Sequence, residues 1–426
     1  MLCEPAPRRP TCLEETVTTP PPHGDALADV PNPEPIVLVL GTAEWSAQIA
    51  TNQHYVVREL AQQFETHFVE SLGLRRVRLD AKDLGRMARR LRNSLRTRVA
   101  APYRPIPDRA KVISPVIVPL HRRPTRLPNR ILLQRAVAEW RRSTRPRILW
   151  TFTPVTYGLE RHADVTLYHC VDILRAFPGI DAVAVDAGEA NLAARARVAI
   201  ATSDAVAEHL GAVGFPEVRT LPNVADVGVF AEAARPSARR RPAAIFAGNL
   251  SPHKLDFELL RTLAGALRGH GELLLAGPVA AGGGGFDREL AELERLGARH
   301  LGVLTLDRLA EVIGECTVGL IPYARNDYTA GVSPLKCYEY LAGGLNVVST
   351  AIPDVVRAAG ETSFIDVADS AADFVDRVLA TIAPAPDAEI RARGDYARDF
   401  GWTRRGRLLR DTATEITSRP AVNADV

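Results

Sequence analysis

The stretch Gly331-Val332-Ser333-Pro334-Leu335-Lys336-Cys337-Tyr338-Glu339 brings a glycine, a helix-start pair and a carboxylate close together. Ser is favoured just before a helix and Pro suits its first position, so a short helix is predicted to start at Ser333-Pro334 and to end at Gly343-Gly344. The unbonded N–H groups of such a start attract a phosphate, and Gly331 lets a ligand approach the backbone. Helical side chains lean toward the N-terminus, which aims Glu339 back at that ligand. Its carboxylate can accept from two adjacent hydroxyls of a ribose; a surface Glu on a short helix is the plain alternative.

Other strand-end stretches carry chemistry of the same kind. In "IFAGNLSPHK" a strand ends at Gly248-Asn249 and Lys254 stands just ahead of the next helix, where an ammonium reaches a phosphate held against the helix start. The G-K-[ST] of a P-loop is absent, and a solvated lysine is the alternative. "LYHCVDI" places His169 and Asp172 at a strand end, able to orient a sugar hydroxyl or relay a proton, or else serving as a bonded histidine and a capping aspartate. In "HLGVLTLDRL" the backbone amides of Val303 and Leu304 can hold a flat base. The long polar loop from Gly41 through Trp45 to a helix start near Asn52 is suited to line a substrate site. No G-x-G-x-x-G occurs, and the glycines of "AGPVAAGGGG" lack that spacing.

These loops need a scaffold, and the chain supplies one. Short apolar runs such as "PIVLVL", "RILWTFT", "AAIFAG" and "NVVST" alternate with amphipathic segments. Strands without polar alternation, separated by helices, belong to parallel sheets covered on both faces. Two such series predict an α/β protein with two Rossmann-like, doubly wound domains facing a cleft. The first occupies 34–223, an Arg/Pro-rich linker 224–242, and the second 243–400. Residues 80–128 read as two helices and a loop inserted in the first domain.

A chain of 426 residues supports two or three cores. No apolar run approaches the roughly 20 residues of a membrane span. The Pro-rich start, 1–33, has no secretory apolar stretch and reads as a disordered leader, which points to the cytoplasm. The 5 cysteines form no C-x-x-C pair and read as reduced thiols. Net charge is only +3, yet 75–147 holds 22 Lys/Arg against 4 Asp/Glu. That surface attracts anionic lipid or a phosphate-bearing acceptor, unless it is spread over solvated helix faces. Without aromatics interleaved for stacking it does not read as a nucleic-acid site.

The second half resembles the donor domain of retaining GT-B glycosyltransferases, a nucleotide-sugar-dependent group that includes many bacterial hexosyl transferases. The resemblance runs through "LPNVADVGVF", "FAGNLSPHK", "LAGP", "HLGVLTLDRLAEVIGECTVGLIPY" and "SPLKCYEYLAGGLNVVST"; "YARDFGWTRRGRLL" resembles the family's final helix, which crosses back to the first domain, here within 401–426. It implies that Glu339 binds ribose, Lys254 the donor diphosphate, the amides near Ser333, Pro334 and Leu335 the phosphates, and Val303 and Leu304 the base. His169 or Asp172 falls beside the transferred sugar. Two positions depart from the pattern: Gly331 stands where a first glutamate is frequent, and Asn249 where a basic residue is. Asp327, Tyr328 and Thr329 are the nearby substitutes on the sugar side. The resemblance implies transfer from a nucleoside diphosphate sugar to a hydroxyl acceptor with retention and no further cofactor; no Asp-x-Asp metal motif is evident, so no cation dependence is expected. The basic segment favours a lipid-linked acceptor in cell-envelope glycan or glycolipid synthesis, with peripheral contact to an anionic membrane. A secondary-metabolite transferase, a nucleotide-sugar epimerase and a non-catalytic nucleotide-sugar scaffold are the competing readings.

Overall fold

Runs of Val, Ile, Leu and Ala buried on both faces suit parallel strands, and the computed structural model shows two all-parallel sheets. It describes residues 33–47, 50–72, 104–118, 123–176, 180–279 and 286–419. Nearly all of the 1–33 leader, much of the basic insertion and Gly282 to Gly285 lie outside these. Residues 34–426 form one compact unit carrying both sheets.

The first sheet contains β1 (Ile36–Leu40), β2 (Glu65–Val69), β3 (Ala110–Ile113), β4 (Arg147–Thr151), β5 (Val165–Cys170), β6 (Val198–Ala201) and β7 (Val218–Thr220), in the order β3-β2-β1-β4-β5-β6-β7. The second contains β8 (Ala243–Ala247), β9 (Glu272–Ala276), β10 (Arg299–His300), β11 (Val318–Ile321), β12 (Asn346–Thr350) and β13 (Ile365–Ala368), in the order β10-β9-β8-β11-β12-β13. Strand order reverses between β1 and β4 and again between β8 and β11. In open α/β sheets the crevice beyond the strand ends at such a reversal receives the ligand.

Three local readings change. Ala110–Ile113, inside the segment read as helices and a loop, is an edge strand paired with β2. The strand ahead of Val303 and Leu304 is confined to Arg299–His300, so both residues lie in the loop that follows rather than at a strand end. The stretch read as a linker contains the helix Val227–Ala233, anchored by the fully buried Phe230.

The last described helix, Trp402–Ser418, joins the first half. Trp402, Leu409, Ala413 and Ile416 share a core with Val37, Val39, Val56 and Leu60, and burying each such aliphatic side chain is worth about 1.5–3 kcal/mol. Tyr55 stacks on Trp402 at 4.9 Å. Gly406 lets the helix close on Glu59, because a Cβ there would stand 2.1 Å from the Glu59 carboxylate. No helix among the described residues is long and apolar enough to cross a membrane. Cys170, Cys316 and Cys337 are buried and free.

Candidate functional site

The chain leaving β8 passes Gly248 and Asn249 and turns at Ser251, whose carbonyl accepts from the Lys254 N–H at 3.1 Å. The Lys254 carbonyl accepts from Ala324 N–H at 2.9 Å, tying this turn to the loop after β11. Both loops of the second reversal are thereby fixed to each other. The Lys254 ammonium lies 4.7 Å from the centroid of the Tyr323 ring. Burial pulls its pKa down, and the carboxylate of Asp172, at the end of β5 in the first half, pulls it back up. Asp172 answers in kind: burial raises its pKa and Lys254 lowers it.

The helix carrying Glu339 does not start at Ser333-Pro334. It spans Lys336–Ala342 with Leu335 before it, and no side chain caps it. The reason is long-range. The Ser333 carbonyl accepts from Asn223 Nδ2 at 2.7 Å, and Asn223 Oδ1 accepts from Asn52 Nδ2. The Gly331 carbonyl accepts from Ser203 Oγ at 2.9 Å. These bonds hold Gly331 to Pro334 out of the helix, with Ser333 buried. A helix of 7 residues that begins at Lys336 sets the Lys336 side chain beside its uncapped start.

Lys336 is the residue that sequence reasoning missed. A Cβ on Gly248 would stand 2.8 Å from Lys336 Cε and 3.6 Å from its Nζ. The ammonium thus overlies the strand end where Asn249 replaces the expected base. The signal was present: Lys336 precedes Glu339 by one helical turn, so the two share a face. Burial raises the pKa of Glu339, Lys336 lowers it and Asp226 raises it further. Glu339 and Asp226 also act on Tyr55, whose hydroxyl is pushed well above its ordinary range, first by burial.

His169 is buried on β5, where Trp150 Nε1 donates to its Nδ1 at 3.3 Å and Phe152 stacks on it at 4.6 Å. An accepting Nδ1 leaves the hydrogen on Nε2. Burial, aided by Arg405 of the crossing helix, holds the ring neutral with a pKa lowered to about 3. Arg405 was also missed; its own pKa is lowered to about 10 by burial, and it donates to the Pro222 carbonyl at 2.5 Å. His54 is lowered to about 4 by burial. Because the unfolded chain binds these protons near pH 6.5 and the folded chain does not, stability is full above that pH and falls as acid is added. The expected loss at pH 5 is about 2 kcal/mol for each ring. Chemical denaturation between pH 7.5 and 5 measures it, and His169→Phe is expected to remove one share.

Several residues expected to line the acceptor or sugar side do structural duty instead. Trp45 is 3% exposed and packs edge-on against Phe68 at 5.5 Å. Gly41 is buried beneath Phe68 and Gln53, while Gln53 Oε1 accepts from Thr42 N–H at 2.7 Å and takes up the loop's backbone donors. Asn52 belongs to the Asn223 relay. Thr329 is fully buried and bonded to Asn326 and the Ala324 carbonyl, Asp327 is exposed, and the half-buried Tyr328 meets His253 edge-on at 5.5 Å. Leu335, Val303 and Leu304 are half-buried.

Gly331 meets Ile173. A Cβ on Gly331 would stand 3.2 Å from Ile173 Cδ1, so an apolar side chain of the first half fills the space a glutamate would need. Gly331→Glu is expected to weaken donor binding about tenfold through overpacking. Adding Ile173→Ala is expected to restore it, as read by calorimetric titration with a nucleoside diphosphate sugar.

Among the described residues Glu65, His67 and Glu139 are grouped closely enough to hold a cation. They sit at the amino end of β2, opposite the cleft, and Arg145 and Lys111 already pair with the two carboxylates.

No family model matches the chain, and no curated protein matches it. Solved structures do. Sucrose-phosphate synthase from Thermosynechococcus elongatus is similar over 90% of this chain and 99% of its own, at 14% identity and a TM-score of 0.63. HepE from Anabaena, solved in complex with UDP, is similar over 89% of this chain and 100% of its own, at 13% identity and a TM-score of 0.58. An α,α-trehalose-phosphate synthase (UDP-forming) from Burkholderia vietnamiensis is similar over 92% of this chain and 98% of its own, at 14% identity and a TM-score of 0.57. With two reversal-point sheets and a helix crossing back to the first, the chain has the GT-B fold of these glycosyltransferases.

Proposed function

We propose that the chain transfers a sugar from a nucleoside diphosphate donor to a hydroxyl acceptor with retention of configuration. The observation that carries this reading is the placement of two ammonium groups, Lys254 and Lys336, at the loops beyond β8, with Glu339 one turn from Lys336 and the His169-Asp172 strand end opposite. Solved neighbours are described in complex with UDP, bound with UDP-2-fluoro glucose, or as UDP-forming.

In this reading Glu339 accepts from the ribose hydroxyls, and the amides of Val303 and Leu304 meet the base. The bond between the anomeric carbon and the phosphate oxygen breaks, and its electron pair goes to a diphosphate flanked by Lys254 and Lys336. Fixed charges aimed at a developing anion lower the barrier without reorganising. The acceptor oxygen bonds to the anomeric carbon on the face the diphosphate leaves, and its proton goes to the departing phosphate oxygen. Neutral His169 and the raised carboxyl of Asp172 orient the sugar. Contacts between the halves at Ser203, Ile173 and Asn223 exclude water, a competing acceptor.

The two ammonium groups supply the countercharge, so transfer persists in chelator. The acceptor is lipid-linked and belongs to cell-envelope glycan or glycolipid synthesis, with the chain working at the inner face of the membrane. The test is release of nucleoside diphosphate from a panel of nucleoside diphosphate sugars, with and without EDTA. Donor binding by calorimetry with no turnover across a broad acceptor panel would instead support a non-catalytic scaffold, the reading that Gly331 and Asn249 favour.

A further inference from the structure

Away from the donor loops, a groove of about 960 Å³ runs between the helices Arg123–Ala136 and Ala182–Ala193, floored by the loop after β4. Arg126, Arg130 and Arg161 line it, and among the described residues none of them forms an ion pair. Its acidic residues are already engaged. Glu160 is buried and accepts from Thr156 Oγ1 and from Asn191 Nδ2 at 2.9 Å. Asp181 accepts from the Ala184 N–H at the start of its helix. Those donors are neutral, so the lining sets three guanidinium groups, none ion-paired among the described residues, against two carboxylates held by other partners.

Its floor is built for close approach. Tyr157 has φ of 53°, the only non-glycine residue with positive φ among those described, and Gly158 follows at 83°. Such backbone costs about 1–3 kcal/mol and persists only when its surroundings impose it. Here the buried Asn129 donates to the Tyr157 hydroxyl at 3.1 Å. A Cβ on Gly158 would lie 3.7 Å from Arg130 Nε and 4.0 Å from Arg161 Cδ, so two guanidinium side chains lie over a residue that has none.

The rim is apolar where it should be polar. Leu127 is 64% and Val183 79% exposed, one on each bounding helix, and Ile131 adds a second apolar position on the first. A free sugar phosphate would need the arginines alone. Exposed aliphatic side chains flanking them fit a ligand whose phosphate continues into a hydrocarbon chain.

We propose that this groove docks the chain on an anionic bilayer, with one lipid phosphate held by Arg126, Arg130 and Arg161 and the bilayer's hydrocarbon meeting Leu127 and Val183. The loop that floors it also carries Phe152, stacked on His169, and Pro154, on which Gly188 closes. A lipid head seated here stands one loop away from the sugar side of the cleft. The proposal rests on the transferase reading only for its purpose, which is to bring a membrane-borne acceptor to the donor.

The test is flotation of the full chain with vesicles of phosphatidylglycerol and phosphatidylcholine in equal parts, against phosphatidylcholine alone, at low and high salt. Binding is expected only to the anionic vesicles and to weaken with salt. Each of Arg126→Gln, Arg130→Gln and Arg161→Gln is expected to lower partition about fivefold. Leu127→Ser with Val183→Ser is expected to lower it without changing charge. UDP affinity by calorimetry and the melting temperature should hold in every variant, which separates loss of docking from loss of fold. No flotation of the native chain at low salt, or equal flotation of the triple arginine variant, overturns the proposal. Arginine dependence without any effect of the Leu127 and Val183 changes, with equal competition by soluble glycerol phosphate, overturns the lipid assignment. Failure of UDP to bind the native chain would count against the transferase reading while leaving the vesicle result to stand on its own.

Discussion

Lys254→Ala and Lys336→Ala are each expected to lower turnover by about 100- to 1000-fold, the range seen when one fixed donor to a developing anion is removed. In the proposed reaction the nucleoside diphosphate leaves with charge that two packed halves keep from water. Lys254 is poised for this, since it is coupled to Asp172 and rests against the face of Tyr323. Lys336 stands over Gly248, where a base was expected and Asn249 is found. The double variant should lose little more than the worse single one, because groups acting on one leaving group are not additive. Initial rates of nucleoside diphosphate release, with donor saturating, measure the effect. Full activity in Lys336→Ala would reduce that residue to a packing role over Gly248.

Glu339→Gln should separate binding from stability. Two hydrogen bonds to a charged acceptor are lost or weakened, so donor affinity is expected to fall by about 10- to 100-fold. The apoprotein should become more stable at neutral pH. Burial holds the Glu339 carboxyl above the usual range, so ionising it favours the unfolded chain. The sign follows: the native carboxyl costs nothing below the ordinary carboxylate pKa, and its cost builds as pH rises from there to the raised folded value and then stays level. Melting temperatures of the two proteins should therefore coincide in mild acid and diverge toward pH 8, with the Gln variant higher. Coincidence at every pH would mean that Glu339 is well solvated in the apoprotein.

The two sheets were legible because both faces of their central strands are covered, which puts continuous apolar runs into the sequence. Lys254 and Asp172 could be placed at strand ends from the sequence because reversal-point strands put their following loops at the crevice. Ser333 misled for a physical reason: its favourable capping chemistry is local, whereas the bonds from Asn223 and Ser203 that hold Gly331 to Pro334 come from over 100 positions away. Trp45 misled similarly, because a long polar loop says nothing of an aromatic ring folded back onto Phe68. The edge strand Ala110–Ile113 is half-exposed and lacks the apolar run that marked the others. The arginine groove has no sequence signature, since its sides come from separate helices and its floor from a third segment.

The crossing helix also sets an order of assembly. Strands β1 to β7 are complete once Thr220 has been added, yet the face of Asn52–Leu60 that receives Trp402 and Leu409 has no cover until the far end of the chain emerges. At ordinary rates of synthesis that interval lasts roughly 10 to 40 s. During it the newborn first half presents Tyr55 and Glu59, which meet Trp402, Gly406 and Arg410 in the folded chain, to solvent or to a chaperone, and a fragment ending at the second sheet would keep that face bare for good.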